Sequence, residues 1–345
     1  MKKYLLILIF NIIISNEFDN FGTFIFNANS SESISMSDAT VSWIGGASSM
    51  TNNPAGLTTL AYSNNLLSRK FINNFGIEIG SSMETANINS LGDTQFPSIS
   101  LGWGFDPKIQ DLFLGFGVSF QSIQVASVEE WDENEFFNGY FDYMESAFSA
   151  AFAIEYSPVK LGFKWIYYMQ NIEIENQIDN FNHIQNNNFL PSEFGLQYKV
   201  NKSLDLGLLI SKSTRVGIHD MSLYRSKVGI SYKINSKNDW KHMLALDWEK
   251  TSNNYSSLKF GYQYYVLKNL LIRSGMQTEI IQENTDWSLL NTLQGSLGLS
   301  FKIPTNSEVG KDLVFNISLK QHVYPNITNP LSRTIAFSVS YKNFK

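Results

Sequence analysis

From Phe75 onward, large apolar residues alternate with small or polar ones at a period of two. Near the C-terminus, Ile335, Phe337, Val339 and Tyr341 share one face, and Thr334, Ala336, Ser338 and Ser340 the other. The preceding stretch repeats this, with Leu313, Phe315, Ile317 and Leu319 against Val314, Asn316, Ser318 and Lys320. Successive side chains of a strand point to opposite faces, so each stretch predicts a strand with one apolar side. Such runs fall near 75–83, 95–104, 111–125, 144–156, 158–172, 190–200, 204–213, 223–234, 240–250, 256–266, 270–281, 288–302, 311–322 and 332–343, about fourteen in all. The connections mostly alternate in length. Short ones fall at Asp106–Gln110, Ser157, Asn201–Ser203, Asn235–Asp239 and Leu267–Asn269. Long ones fall at Glu84–Thr94, Ala126–Tyr143, Glu173–Phe189, Thr214–Ser222 and Tyr324–Leu331. Thr251–Tyr255 and Ile303–Gly310 depart from the alternation. An even number of antiparallel strands, with short turns at one end and long loops at the other, is the plan of a bacterial outer-membrane barrel.

A soluble two-sheet sandwich would alternate too, so the content of the apolar face separates the two. That face carries Leu161, Phe163, Trp165 and Tyr167; Leu258, Phe260, Tyr262 and Tyr264; His242, Leu244, Leu246 and Trp248. Opposite stand Lys160, Gly162 and Lys164; Lys259, Gly261 and Gln263; Asp247 and Glu249. Only 17% of the chain is charged and 14% is aromatic, whereas soluble domains are about 25% charged. No later run reaches the roughly 18 apolar residues of a membrane-spanning helix. The expectation is an all-β fold, a transmembrane antiparallel β-barrel set in outer-membrane lipid, with aromatic girdles outside and a polar lumen. A net charge of -5 gives no electrostatic case for nucleic acid. The absence of cysteine removes disulfides, thiolate metal sites, Cys nucleophiles and a lipobox.

At the N-terminus, Met1-Lys2-Lys3 and the apolar Tyr4–Ile14 predict a signal peptide over 1–15, cleaved near Ser15 or Asn16. The mature chain is then exported, with both termini in the periplasm. Residues 16–72 precede the barrel of 73–345. They contain Gly45-Gly46-Ala47-Ser48-Ser49 and Asn52-Asn53-Pro54-Ala55-Gly56-Leu57. Pro54 fixes its own φ and holds Asn53 extended, and Gly56 is free to take a backbone shape closed to other residues. This predicts a tightly folded, non-helical plug or hatch built on Gly45, Gly46, Asn52, Asn53, Pro54, Ala55, Gly56 and Leu57.

Candidate chemistry is sparse. The histidines are His183, His219, His242 and His322, with no HExxH and no close pair, so no metal site and no cofactor are expected. No G-x-S-x-G elbow occurs, and the outward faces offer almost no Ser for a barrel hydrolase. Enzyme activity is not expected. The acidic, aromatic run Glu129–Tyr143 reads as an extracellular loop, with Trp131, Phe136, Phe137, Tyr140 and Phe141 as its contact residues. Charges of both signs are expected in the lumen, among them Asp247, Glu249, Lys259, Arg273, Lys320 and Arg333. Mixed sign argues against a dedicated anion or cation pore.

Three segments together resemble the FadL-like superfamily of outer-membrane proteins, and within it the PorV/PorQ-type branch. They are Ser37-Asp38-Ala39-Thr40-Val41 with the small-residue run and Asn53–Leu57, then Leu258–Tyr264, then Leu270–Met276. The resemblance implies passive transport of a hydrophobic or amphipathic small molecule across the outer membrane. Its alternative implication is a type IX secretion component that docks cargo or other secretion-system proteins.

Overall fold

The computed structural model describes residues 30–61, 75–85, 94–107, 109–131, 137–176, 181–189, 192–214, 222–236, 239–251, 255–283, 286–287, 293–304, 312–322 and 333–342. The signal-peptide expectation lies outside them, as do Phe136 and His219.

Fourteen strands close into one antiparallel barrel: β1 (Phe75–Thr85), β2 (Thr94–Phe105), β3 (Leu112–Trp131), β4 (Phe137–Tyr156), β5 (Val159–Asn176), β6 (Ser192–Lys199), β7 (Leu204–Thr214), β8 (Ser222–Ser236), β9 (Asp239–Thr251), β10 (Tyr255–Leu267), β11 (Leu270–Glu283), β12 (Gln294–Pro304), β13 (Asp312–His322) and β14 (Arg333–Lys342). Each pairs with its neighbours in chain order, and β1 pairs with β14 to complete the ring. Two further stretches extend the sheet: Phe181–Phe189 lies along β5, and Asp286–Trp287 folds back on β11. The β2–β3 ladder skips Phe96 and Pro97, where a ring nitrogen without hydrogen cannot donate.

The two-residue period appears as two surfaces. Outward residues such as Phe148, Trp165, Leu297 and Phe337 are more than half exposed. An apolar surface this continuous is stable only against hydrocarbon. At the short-turn end His242 accepts or donates a 2.7 Å hydrogen bond with the Tyr262 hydroxyl and stacks on Tyr264, a polar-tipped aromatic cluster of interfacial type.

Strands β3 and β4 each run 20 residues, about twice the 9–11 that a bilayer needs. The expected loop over Ala126–Tyr143 is therefore largely strand: Val128 pairs with Phe141, Glu129 with Tyr140 and Trp131 with Phe137. The outer part of β4 pairs with β5 as well, Tyr140 opposite Glu175. Backbone pairing on both sides holds this acidic stretch extended despite its broken alternation of apolar residues. The strand expected to begin near 288 begins at Gln294.

Candidate functional site

Residues 30–61 lie inside the barrel as a short helix α1 (Ser31–Ser35) and two 3-10 helices, Gly46–Met50 and Pro54–Ala61. Every residue from Ser30 to Ala61 is buried except Trp43, Gly45 and Thr59. The expected non-helical fold over Asn52–Leu57 is corrected by the last helix. Proline suits the first turn of a helix, where its missing N–H has no partner to lose. The Asn53 side-chain oxygen accepts from Ala55 N at 3.2 Å just inside that turn. Gly56 does not occupy positive φ; Gly46 does, at 74°. What Gly56 supplies is space, because a Cβ there would overlap the Ile44 carbonyl.

The wall is shaped to receive this backbone. Inward-facing glycines sit directly opposite one another across neighbouring strands: Gly102 and Gly117, Gly104 and Gly115, Gly162 and Gly195, Gly207 and Gly229, Gly261 and Gly275. Together they form a groove floored by main chain. A Cβ at Gly162 would overlap Ala55 N and Pro54 C, and one at Gly115 would stand 2.7 Å from Leu57 C. Above this groove Met50, Leu57 and Leu60 pack with Ala151 and Ala153. Burying each large side chain contributes about 1.5–3 kcal/mol.

Polar contacts hold the rest. Asn53 Nδ2 donates to Val41 O at 2.7 Å, with longer contacts to Leu196 O and Leu208 O on β6 and β7. Asn52 Oδ1 accepts from Ser33 and Thr40, and its Nδ2 donates to Ser48 O at 3.0 Å. Gly46 N donates to Thr59 Oγ1 at 2.8 Å. Asp247 Oδ2 accepts from the consecutive amides of Thr40 and Val41 at 2.7 and 2.9 Å and meets Lys227 at 3.2 Å. Lys227 also donates to the Asp38 carbonyl. Arg273 pairs with Glu32 at 2.5 Å, donates to Gln263 at 2.9 Å and reaches Ser300. Glu249 sits between Arg225 and Lys259 at 3.2 and 2.7 Å, and Lys320 meets Asp38 at 3.5 Å. Lys164 donates to Met50 O and pairs with Glu193. Thr58 donates to Glu155 at 2.8 Å. The first turn spans the β1–β14 junction: Ser30 donates to Glu78 on β1, and Ser31 to Ser318 on β13 and the Ala336 carbonyl on β14.

Of the residues expected in the lumen, Asp247, Glu249, Lys259, Arg273 and Lys320 are brought into this network. The backbone of Arg333 pairs with Gln321 and Thr85 at the start of β14. Trp131, Phe137, Tyr140 and Phe141 lie in the end of β3 and the start of β4. Glu32, Glu78 and Gln197 were not singled out by the sequence, and Asp38 only as part of the Ser37–Val41 segment. Their readable signal was weak: carboxylates in a Ser-rich stretch and single polar residues on inward parity. The glycines left a clearer trace, spaced two apart on the inward row as Gly102 and Gly104, then Gly115 and Gly117.

Burial disfavours the charged form of Asp38, yet Lys320, Lys259 and Lys227 outweigh it and hold the carboxyl below its ordinary 3.8. A carboxylate whose folded pKa is depressed stabilises the fold above its unfolded pKa, and that contribution disappears as pH falls through the folded value. Amide exchange across residues 30–61, corrected for intrinsic rate, should therefore be insensitive to Asp38 protonation near neutrality and accelerate below the ordinary carboxylate range. Asp38→Asn should flatten that acid limb; an unchanged limb would place the titration on another group.

At the short-turn end the segment faces a cavity of about 600 Å³, lined by Trp43, Leu60, Phe113, Met243 and Tyr265 with Lys160, Lys199 and Lys233 among its polar groups.

No family model matches the chain, and no curated protein matches it in sequence. Solved structures do match. The Pseudomonas putida toluene transporter TodX aligns over 96% of this chain and 100% of its own, at TM-score 0.57 and 12% identity. A TodX variant described as a monoaromatic hydrocarbon channel aligns over 91% and 98%, at 0.62 and 12%. A Pseudomonas aeruginosa FadL homologue aligns over 92% and 99%, at 0.60 and 9%. None of these three is described as a secretion component. At such identities the likeness is one of fold: the chain is a closed fourteen-stranded barrel of the FadL type.

Proposed function

We propose that this protein is an outer-membrane channel for passive passage of a hydrophobic small molecule, closed at rest by residues 30–61. The short turns then face the periplasm and the projecting β3–β5 hairpins the exterior. The observation that carries this reading is the seating of the segment across the lumen from wall to wall. Asn53 reaches β6 and β7, Ser31 reaches β13, and Thr58 reaches β4. A solute moving along the axis must displace part of it. The fold shared with hydrocarbon channels supports an apolar cargo, and among the described residues the inward charges are of both signs.

Deleting residues 45–57 should convert the closed barrel into a leak. Liposomes carrying the deletion variant should swell in arabinose while those carrying the full chain do not. Equal swelling rates, with both proteins showing heat-modifiable mobility on gels, would remove the plug role.

A further inference from the structure

The segment is held unevenly, and the uneven part borders the cavity. Asn53–Leu57 is its most confined stretch. Asn53 bonds to three carbonyls, and Gly195, Gly162 and Gly115 leave no room beneath Asn53, Ala55 and Leu57. Val41 is fixed by Asp247 on one side of the strap Trp43–Gly46, and Ser48 and Met50 by Glu78 and Lys164 on the other. Between these anchors, the strap's one bond to the wall among the described residues is Gln197 Nε2 to Ile44 O, at 3.0 Å. Within the segment it is tied to the preceding turn, by Trp43 N and Ile44 N to Thr40 O and by the Trp43 indole to Ala39 O.

The segment's partly exposed positions all border the cavity. Trp43, Gly45 and Thr59 are the segment's three incompletely buried residues, and all three line the 600 Å³ cavity. Gly46 at positive φ supplies a pivot that other residues rarely occupy. The cavity is of the size that small-molecule sites use, roughly 300–1,000 Å³.

We infer that the strap Trp43–Gly46 is the moving gate, and that the cavity beside it is the chamber an apolar solute enters when the strap swings. The remainder of residues 30–61 is a fixed frame. Trp43 supplies an aromatic face, with Leu60, Phe113 and Met243 beside it, and charged groups including Glu155, Lys160, Asp205 and Arg273 share the lining. Opening costs the Gln197 and Thr59 hydrogen bonds, the ties of Trp43 and Ile44 to Ala39 and Thr40 and the packing of Trp43 on Met243 and Ala245, whereas moving Asn53–Leu57 would break the three Asn53 hydrogen bonds and the close glycine contacts on β3, β5 and β6. This inference rests on the channel reading above and places the motion at a site distinct from the Asn-Pro-Ala-Gly-Leu motif.

The chain has no cysteine, so engineered disulfides stand alone. An ideal Cβ at Gly45 lies 3.3 Å from Thr59 Cβ, close to the spacing of about 3.5–4.5 Å in disulfides. Gly45→Cys with Thr59→Cys therefore locks the strap. Ser37→Cys with Ser296→Cys, whose hydroxyl oxygens are 2.8 Å apart, locks the frame to β12. The readout is uptake of radiolabelled toluene by intact bacteria that lack another such channel. Oxidised strap-locked protein should lose uptake and regain it on reduction, the reduced form serving as its own folding control. Oxidised frame-locked protein should take up toluene like the unmodified chain. Undiminished uptake through the locked strap, or loss of uptake through the locked frame, overturns the inference. The arabinose leak of the 45–57 deletion tests the channel reading separately, so a leak together with a permissive locked strap sinks the gate alone.

Discussion

Replacing Gly162 with leucine should unseat residues 30–61 while the barrel stays closed. Gly162 lies on β5 between Ala153 and Gly195, its cross-strand partners, so its backbone has no freedom to retreat. A side chain there meets Ala55 N and Pro54 C, main-chain atoms that cannot rotate aside. The segment must lift, and lifting it withdraws Met50, Leu57 and Leu60 from Ala151 and Ala153 and Asn53 from the Leu196 and Leu208 carbonyls. Overpacking alone costs about 1–3 kcal/mol, which raises the unseated population about 5- to 150-fold. Chymotrypsin is the measure, because the segment carries Trp43, Leu57 and Leu60 but no Lys or Arg. Cleavage within residues 30–61 should accelerate by that factor while heat-modifiable mobility persists. Cleavage at the unmodified rate would mean that the groove tolerates a side chain and does not position the segment.

Asp247→Ala should act through charge. Asp247 is fully buried and holds two consecutive amides of the segment as well as Lys227. Its removal strands Lys227 in the lumen beside two unsatisfied N–H groups. Breaking a buried pair by deleting one partner costs about 3–5 kcal/mol. The signature that distinguishes this from lost packing is rescue: Asp247→Ala with Lys227→Met should recover much of the loss, since no uncompensated charge remains. A double variant as labile as Asp247→Ala alone would assign the effect to the Thr40 and Val41 amides instead.

The strands were legible because one physical requirement, apolar outside and small or polar inside, acts on every residue of every strand. Where that requirement stops, so did legibility. Beyond the bilayer β3 and β4 continue as strands, Glu129 opposite Tyr140 and Trp131 opposite Phe137, held by ladder hydrogen bonds that leave no mark on side-chain pattern. Pro54–Ala61 is helical because neighbours hem it in, and eight residues of 3-10 helix carry too little periodicity to announce themselves. Asp247 and Arg273 were identified as inward charges, but their partners Thr40, Val41 and Glu32 come from more than two hundred residues away, a proximity only the closed barrel creates.

Thirteen of the ring's fourteen pairings join strands adjacent in the chain; the β1–β14 junction alone joins the first to the last. It is also where Ser30 holds Glu78 on β1, while Ser31 reaches the Ala336 carbonyl on β14 and Ser318 beyond it. The one seam without a connecting turn is thus clasped from within, by a piece of chain that precedes both of its edges.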